Sequence, residues 1–372
     1  MRKWINTGIV VGFWIISFIN GTGLDATYRI IERVRIGLLI LSIVIILLEN
    51  WHGVSIKAKR SELFTFFGMI AVFFASSFLR GKGMQPFEYL YAFLVVFLIS
   101  KLKLDESDFK RIGLCIGAAG FGVLFIYDRM TKLSGWNENS IAMIGFFSYL
   151  IFLISRFNVK SKKAKAQIVF TAVVVSFFLN QTNSRSCILF MAFAIILALG
   201  FIDRSFFVQK KTTRFILLLP LCIAILIASL SATSIARNLD VWSLTRYKKP
   251  FFNGRDLLWV RGFGSLPEHL LLGNGHLMTD SWHNSAMHVL TTYGIAGYLF
   301  WLGAFDILMS KARDYLGDYL VQGCLICFLI IYAQQSVELG LVSIAPNLIP
   351  YMMLGMMLGR IRYLRDAIHV EA

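Results

Sequence analysis

Charge is scarce in this chain. Only 16% of its 372 residues are Asp, Glu, Lys or Arg, where a water-soluble globular domain carries about a quarter. That shortage excludes the two- or three-domain soluble protein that this length would otherwise suggest. Acidic residues are the scarcer sign, 21 against 37 basic ones, leaving a net charge of +16. Proline is rare, with six in all, and no Pro/Gly-rich or low-complexity stretch divides the chain. Residues 1–372 therefore read as a single domain. The five cysteines, Cys115, Cys187, Cys222, Cys324 and Cys327, all fall inside apolar runs. None sits in an exterior loop, which argues against a structural disulfide. Cys324-x-x-Cys327 has the spacing of a redox motif but no second pair and no nearby His, so it reads as two buried thiols.

What the chain has instead is apolar sequence, 57% of it. The apolar residues form runs of about 15 to 25, the length at which a helix crosses the hydrocarbon core of a bilayer. Twelve such segments lie at about 4–20, 34–50, 63–79, 86–100, 111–127, 140–155, 166–180, 186–202, 214–231, 285–309, 319–337 and 346–359. Backbone polar groups in lipid must be satisfied within the segment, so each run is expected as helix rather than strand. The expected fold is all-α, a polytopic membrane protein of about twelve transmembrane helices. The first run follows Met1-Arg2-Lys3 with no small-residue cleavage site and reads as a retained helix.

The positive charge suits membrane loops better than nucleic acid, and no nucleic-acid partner is expected. With the N-terminus inside, every even-numbered connection is basic: Lys57 to Arg60, Lys101 to Arg111, Arg156 to Lys165, Arg204 to Arg214, Lys311 with Arg313, and the tail Arg360 to Arg365. That is the positive-inside pattern, with both termini cytoplasmic. The outer side still carries Arg29, Arg33, Arg80, Lys82, Arg129, Lys132 and Arg185, and segment 232–284 adds six more cations. Interfacial anchoring explains many of them, as in Arg246-Tyr247-Lys248-Lys249-Pro250-Phe251-Phe252. An anionic substrate on the outer face would explain the rest.

Segment 232–284, between the ninth and tenth runs, is too long to be a simple connection. It reads as short helix with aromatic anchors (Arg255 to Phe263, then Leu266 to Leu272), a glycine turn at Gly273-Asn274-Gly275, and Trp282-His283-Asn284-Ser285 opening the tenth helix. Four of the six histidines, His269, His276, His283 and His288, lie in or just after it. Their spacing fits no common zinc pattern and no Cys accompanies them, so no metal is expected. His283 stands at the membrane surface beside Asn284 or Ser285 as helix N-cap. It reads either as a catalytic imidazole or as a His bonded to its own loop. Gly294 and Gly297 share one helical face and read as a close-packing pair. Arg185 stands near the start of the helix at 186–202, where exposed N–H groups and a guanidinium could receive a phosphate. A snorkelling anchor is the plainer reading. Asp256, Glu268 and Asp280 are available acids, but nothing sets two of them across a scissile bond. Glu338, at the outer end of the eleventh run, is a membrane-edge carboxylate that would contact sugar or pair with an arginine.

Three motifs taken together resemble the bacterial O-antigen polymerase and O-antigen ligase superfamily. They are Thr182-Asn183-Ser184-Arg185-Ser186 opening a helix, Gly254-Arg255-Asp256-Leu257-Leu258-Trp259 followed by Pro267 and Gly273-Asn274-Gly275, and His283-Asn284 followed after nine residues by Gly294-Ile295-Ala296-Gly297. The resemblance implies a metal-independent glycosyltransferase without cofactor, acting at the outer face of the cytoplasmic membrane on undecaprenyl-diphosphate-linked oligosaccharide. It implies Arg185 and Arg255 as diphosphate ligands and His283 as general base. Arg261, Arg80, Lys82, Asp256 and Glu338 are secondary candidates. Besides membrane lipids, a chain-length regulator protein would be a partner. The compact stretch between Gly275 and His283 favours a polymerase over a ligase. The alternative of another class is a lipid-linked oligosaccharide flippase, against which stand the few ionisable residues inside the runs.

Overall fold

The computed structural model describes residues 2–22, 37, 59–79, 86–129, 138–157, 160–182, 184–248, 250–275, 282–342 and 347–371. Every regular element among them is helical. In chain order these are α1 (Arg2–Thr22), α2 (Arg60–Leu79), α3 (Pro86–Ser100), α4 (Glu106–Arg129), α5 (Glu138–Ile154), α6 (Lys162–Gln181), α7 (Arg185–Leu199), the single turn α8 (Arg204–Phe207) and α9 (Lys210–Leu230). Then follow α10 (Ser234–Tyr247), α11 (Arg255–Ser265), α12 (Ser285–Ser310), α13 (Tyr319–Gln334) and α14 (Ile349–Glu371). Apart from Gly37, the expected segment 34–50 lies outside the described residues.

Four stretches, Arg60–Leu79, Glu106–Asp128, Lys210–Leu230 and Ser285–Tyr315, are long and apolar enough to cross a membrane by length and composition. Shorter apolar helices, among them Glu138–Ile154 and Tyr319–Gln334, pack beside them. The outer surface of the bundle is itself apolar: Phe64, Phe67, Phe78, Phe170 and Leu189 are each at least 65% exposed. Water does not favour such a surface, whereas lipid does.

Small residues let the helices close up. Gly113, Gly117 and Gly120 recur on the face of α4 that meets α5, and a Cβ added at Gly120 would lie 2.3 Å from the Ser148 side chain. At the α3–α14 seam a Cβ on Gly359 would lie 2.6 Å from the Leu102 carbonyl. Helices in lipid gain little from apolar burial against one another, so backbone approach of this kind is a main source of their association.

The bundle has two chemically different ends. At one, Asn6 reaches Asp108 at 3.4 Å, and Lys103 pairs with Asp366, Arg214 with Asp306, Lys311 with Glu62 and Arg360 with Asp318 at 2.6–2.8 Å. Arg204 donates to the last carbonyls of α7, Leu197 and Ala198, at 2.9 Å each. A guanidinium there offsets the negative end of the helix dipole. This basic end gathers the connections expected to face inward. The chain enters α1 and α2 at this end, through Asn6 and Glu62. The opposite end carries the ion pairs of Glu338 and the whole of segment 232–275.

That segment does not stay at the rim. The face of α11 formed by Leu258, Trp259 and Phe263 packs along α9 at Ile223, Ala224, Ile227 and Ala228. The chain then turns through Pro267–His269 and enters the bundle at α12. The expected continuous helix from 285 is broken there: Gly294 has φ 69° and ψ −173°. Into the break slides the main chain of 270–275. Asn274 and Gly275 donate N–H to the Thr291 and Thr292 carbonyls at 2.8 Å, while Ile295 and Ala296 donate to the Leu270 and Leu271 carbonyls at 2.9 and 3.2 Å. Ser76 of α2 hydrogen-bonds Leu272 O and lies 3.0 Å from Thr292 O. The break sits about 14 Å down the helix from its first residue, at 1.5 Å per residue. Non-helical backbone is tolerated at such depth only where other protein groups satisfy it.

Gly294 is therefore a backbone device rather than half of a helix-packing pair. A Cβ on it would lie 2.3 Å from the Leu271 carbonyl carbon and oxygen, and one on Gly273 would lie 2.4 Å from the Thr292 carbonyl carbon. Gly297 does meet a neighbouring helix, 3.3 Å from the Phe73 ring of α2 by the same measure.

Candidate functional site

Three chain segments meet at the far end around one carboxylate. α13 stops at Gln334, short of the expected 337, because Gln335 turns back on itself. Its side-chain oxygen accepts the Gly340 and Leu341 N–H groups and the Ser285 hydroxyl. The turn carries Glu338 into the protein, where only 7% of its side chain is exposed. Arg255 opens α11 after Gly254, whose φ of 78° makes the bend into that helix. Its Nη2 lies 3.2 Å from Glu338 Oε1. His283 Nδ1 lies 3.7 Å from Oε2, and the Ser186 hydroxyl of α7 lies 3.4 Å from Oε1.

His283 owes its position to its neighbours. Its own φ is 46°, uncommon for a residue with a Cβ. Trp282 on one side is buried and its carbonyl accepts the Trp259 indole N–H of α11. Asn284 on the other side is fully buried and is the N-cap of α12, its Oδ1 accepting Met287 N–H at 3.0 Å. The Asn284 amide also donates to the Pro220 carbonyl at 2.8 Å and the Ser336 carbonyl at 2.9 Å. Pro220 lies inside α9, where it interrupts the helical hydrogen bonding. One amide thus ties the start of α12 to α9 and to the Glu338 turn. Asn284→Ala should lower stability by about 2–4 kcal/mol, since it uncaps a helix and removes two buried amide hydrogen bonds. The thermal midpoint of the purified protein would show it.

Arg185 begins α7, and its guanidinium reaches toward α10 and the residues that follow it. It bonds the Pro250 carbonyl at 3.2 Å and approaches the Ser243 hydroxyl of α10 at 3.5 Å. It is exposed, and its chain neighbour Ser186 is a residue of α7 that meets Glu338. Asp256 is buried in the first turn of α11, a position that suits a carboxylate. Arg261 is exposed on α11. Arg80 and Lys82 lie outside the described residues, as does His276. His269 sits in the turn after α11, and His288 is buried one turn below Asn284 with Nε2 3.4 Å from the Tyr89 hydroxyl. Among the described residues no three His, Cys, Asp or Glu side chains gather.

Sequence reasoning missed the polar layer under the site. The Gln335 amide donates to the Gln334 side-chain oxygen at 2.6 Å, and the Gln334 amide approaches Cys187 Sγ at 3.8 Å, so Cys187, Gln334, Gln335 and Ser285 form a chain beneath Glu338. The signal was present as Gln334-Gln335-Ser336, three polar residues closing an apolar run. The arrangement offers a permanent cation with spare donors, an imidazole, and a buried carboxylate facing both. Such a set can bind an anion and accept a proton beside it. No protein-family model matches this chain, and no curated protein matches it.

Proposed function

We propose that the protein is a polymerase of undecaprenyl-diphosphate-linked oligosaccharide repeats for a surface polysaccharide, working without metal at the outer face of the cytoplasmic membrane. In this reading the basic end of the bundle is cytoplasmic, as are both termini, and the chain crosses the membrane about twelve times. The observation that carries the reading is that Arg255 and His283, from separate segments, share the Glu338 carboxylate at the less basic end.

The chemistry would run as one displacement. His283 takes the proton of an acceptor hydroxyl, whose oxygen bonds to the anomeric carbon of the donor. The bond from that carbon to the diphosphate oxygen breaks, and its electron pair stays on the leaving diphosphate. Arg255, with Arg185 at the rim, stabilises the growing charge by paired N–H donation.

Reconstitution with a synthetic diphosphate-linked repeat tests this reading. Wild type should build a ladder of products, and Arg185→Ala and Arg255→Ala should each lose at least about 100-fold in rate, as for removal of one charge-stabilising donor. Product formed only when lipid A core is supplied would mean a ligase. The broken α12 favours a second reading, a lipid-linked oligosaccharide flippase, because discontinuous helices often mark transport sites. The clasp at 270–275 occupies that break with protein backbone, which weighs against it. Transport that survives in His283→Ala vesicles, with no glycan transfer, would decide for the flippase.

A further inference from the structure

We propose that Glu338 is a positioning residue that changes partner when an anion arrives, holding Arg255 in the empty site and passing to His283 once Arg255 takes up phosphate. The proposal rests on the transferase reading and adds an order of events to it.

The geometry is that of a shared carboxylate caught on one side. Oε1 faces Arg255 at 3.2 Å and Ser186 at 3.4 Å, whereas Oε2 stands 3.7 Å from His283 Nδ1. The first distance is an ion pair with hydrogen bonding; the last is too long for a hydrogen bond. A second side chain that meets Glu338 from α7 is the neutral Cys187 thiol, which the Gln334 amide of α13 approaches in turn at 3.8 Å. Among the described residues, Arg255 is thus its permanent cation and His283 its titratable neighbour. The Arg255 guanidinium gives Glu338 one nitrogen, and its buried Nε has no partner. It has donors to spare for a phosphate, and a phosphate with two charges competes well against one carboxylate for a guanidinium.

Releasing Glu338 need not move the backbone. Trp282 and Asn284 pin the chain on both sides of His283, while its imidazole is 38% exposed. A rotation that closes the gap by less than about 1 Å gives a normal N–H···O bond. With Nδ1–H donated to Glu338, the Nε2 lone pair faces outward to accept the hydroxyl proton, and the carboxylate stabilises the imidazolium that forms. The base is then oriented only after the donor diphosphate is seated. That order would limit transfer from a half-filled site.

The test uses the full chain in nanodiscs, with inorganic diphosphate as binding probe and the diphosphate-linked repeat as substrate. Glu338→Gln should bind diphosphate about tenfold more tightly, because Arg255 loses its internal competitor, yet turn over about 100-fold more slowly. Glu338→Asp should keep both values within several-fold of wild type. Adding Glu338→Gln to His283→Gln should cost nothing further, since the two act as a unit. A residue that merely props the fold would weaken binding and rate together. The proposal is overturned if Glu338→Gln binds diphosphate no more tightly, or if it turns over like wild type. Failure of wild type to bind diphosphate at all would instead remove the phosphate donor reading, and this inference with it.

Discussion

Replacing His283 with glutamine should lower glycan transfer by about two to four orders of magnitude, the usual contribution of a positioned general base. The expected loss is in kcat, because in the proposed mechanism the imidazole acts on the acceptor proton in the transition state and contributes little to donor binding. The protein should remain folded, since the imidazole is partly exposed and lies beyond hydrogen-bond reach of Glu338. The backbone supplies a stronger control. With φ at 46°, this position suits a residue without Cβ, so His283→Gly should be as stable as wild type or more so, by up to about 1 kcal/mol. The glycine variant should be inactive and should regain some rate when imidazole is added to the buffer. A His283→Gly protein that is intact by thermal midpoint and transfers glycan normally would remove the base from the mechanism.

The largest structural effect is expected at Gly294. Gly294→Ala puts a Cβ 2.3 Å from the Leu271 carbonyl, at a φ of 69° that by itself costs about 1–2 kcal/mol for an L-residue. The loop backbone must withdraw, and four hydrogen bonds then lose their partners at a depth where each unsatisfied group costs several kcal/mol. We expect a total above about 4 kcal/mol, enough to unfold a protein of ordinary stability. Yield and monodispersity in detergent would show it directly. Gly264→Ala in α11 is the matched control: a Cβ there meets nothing within 4 Å, so it should be neutral or stabilise by up to about 1 kcal/mol. Equal behaviour of the two variants would mean that the clasp contributes little.

The helices were legible in the sequence because the requirement behind them is simple and long-ranged. A segment facing lipid must be apolar over its length, so the run expected at 140–155 appears as Glu138–Ile154 and that at 86–100 as Pro86–Ser100. The break in α12 was not legible. Val289 to Leu299 reads as an ordinary apolar helix, and glycines spaced i, i+3 look like packing residues. Only the approach of 270–275, set by tertiary structure, gives Gly294 its left-handed conformation. α10 was missed for a different reason: Ser234–Tyr247 mixes exposed Ile235, Val241, Trp242 and Leu244 with polar residues and has no single apolar face. At the site, the family resemblance singled out Arg255 and His283, and Glu338 was expected to contact sugar or pair with an arginine; it pairs with Arg255. Which arginine it would be, and that His283 faces the same carboxylate, could not be read, because both depend on where α13 ends and on the bend at Gly254. Arg185 shows the converse, since its place at the start of α7 was readable and the direction of its guanidinium was not.

The insertion of 270–275 into α12 also constrains biogenesis. Ribosomes deliver the carbonyls of Leu270 and Leu271 and the amides of Asn274 and Gly275 before residues 291–296 exist. Until then those groups must stay hydrated, outside the hydrocarbon, so this stretch cannot partition into the bilayer on its own as a helix can. It must wait at an aqueous surface and fold back only when its receptor helix has been threaded. The far end of the molecule is therefore the last part to mature. Hydrogen–deuterium exchange during synthesis would register this as late protection of Asn274, Gly275, Ile295 and Ala296, well after the α4–α5 pair has closed.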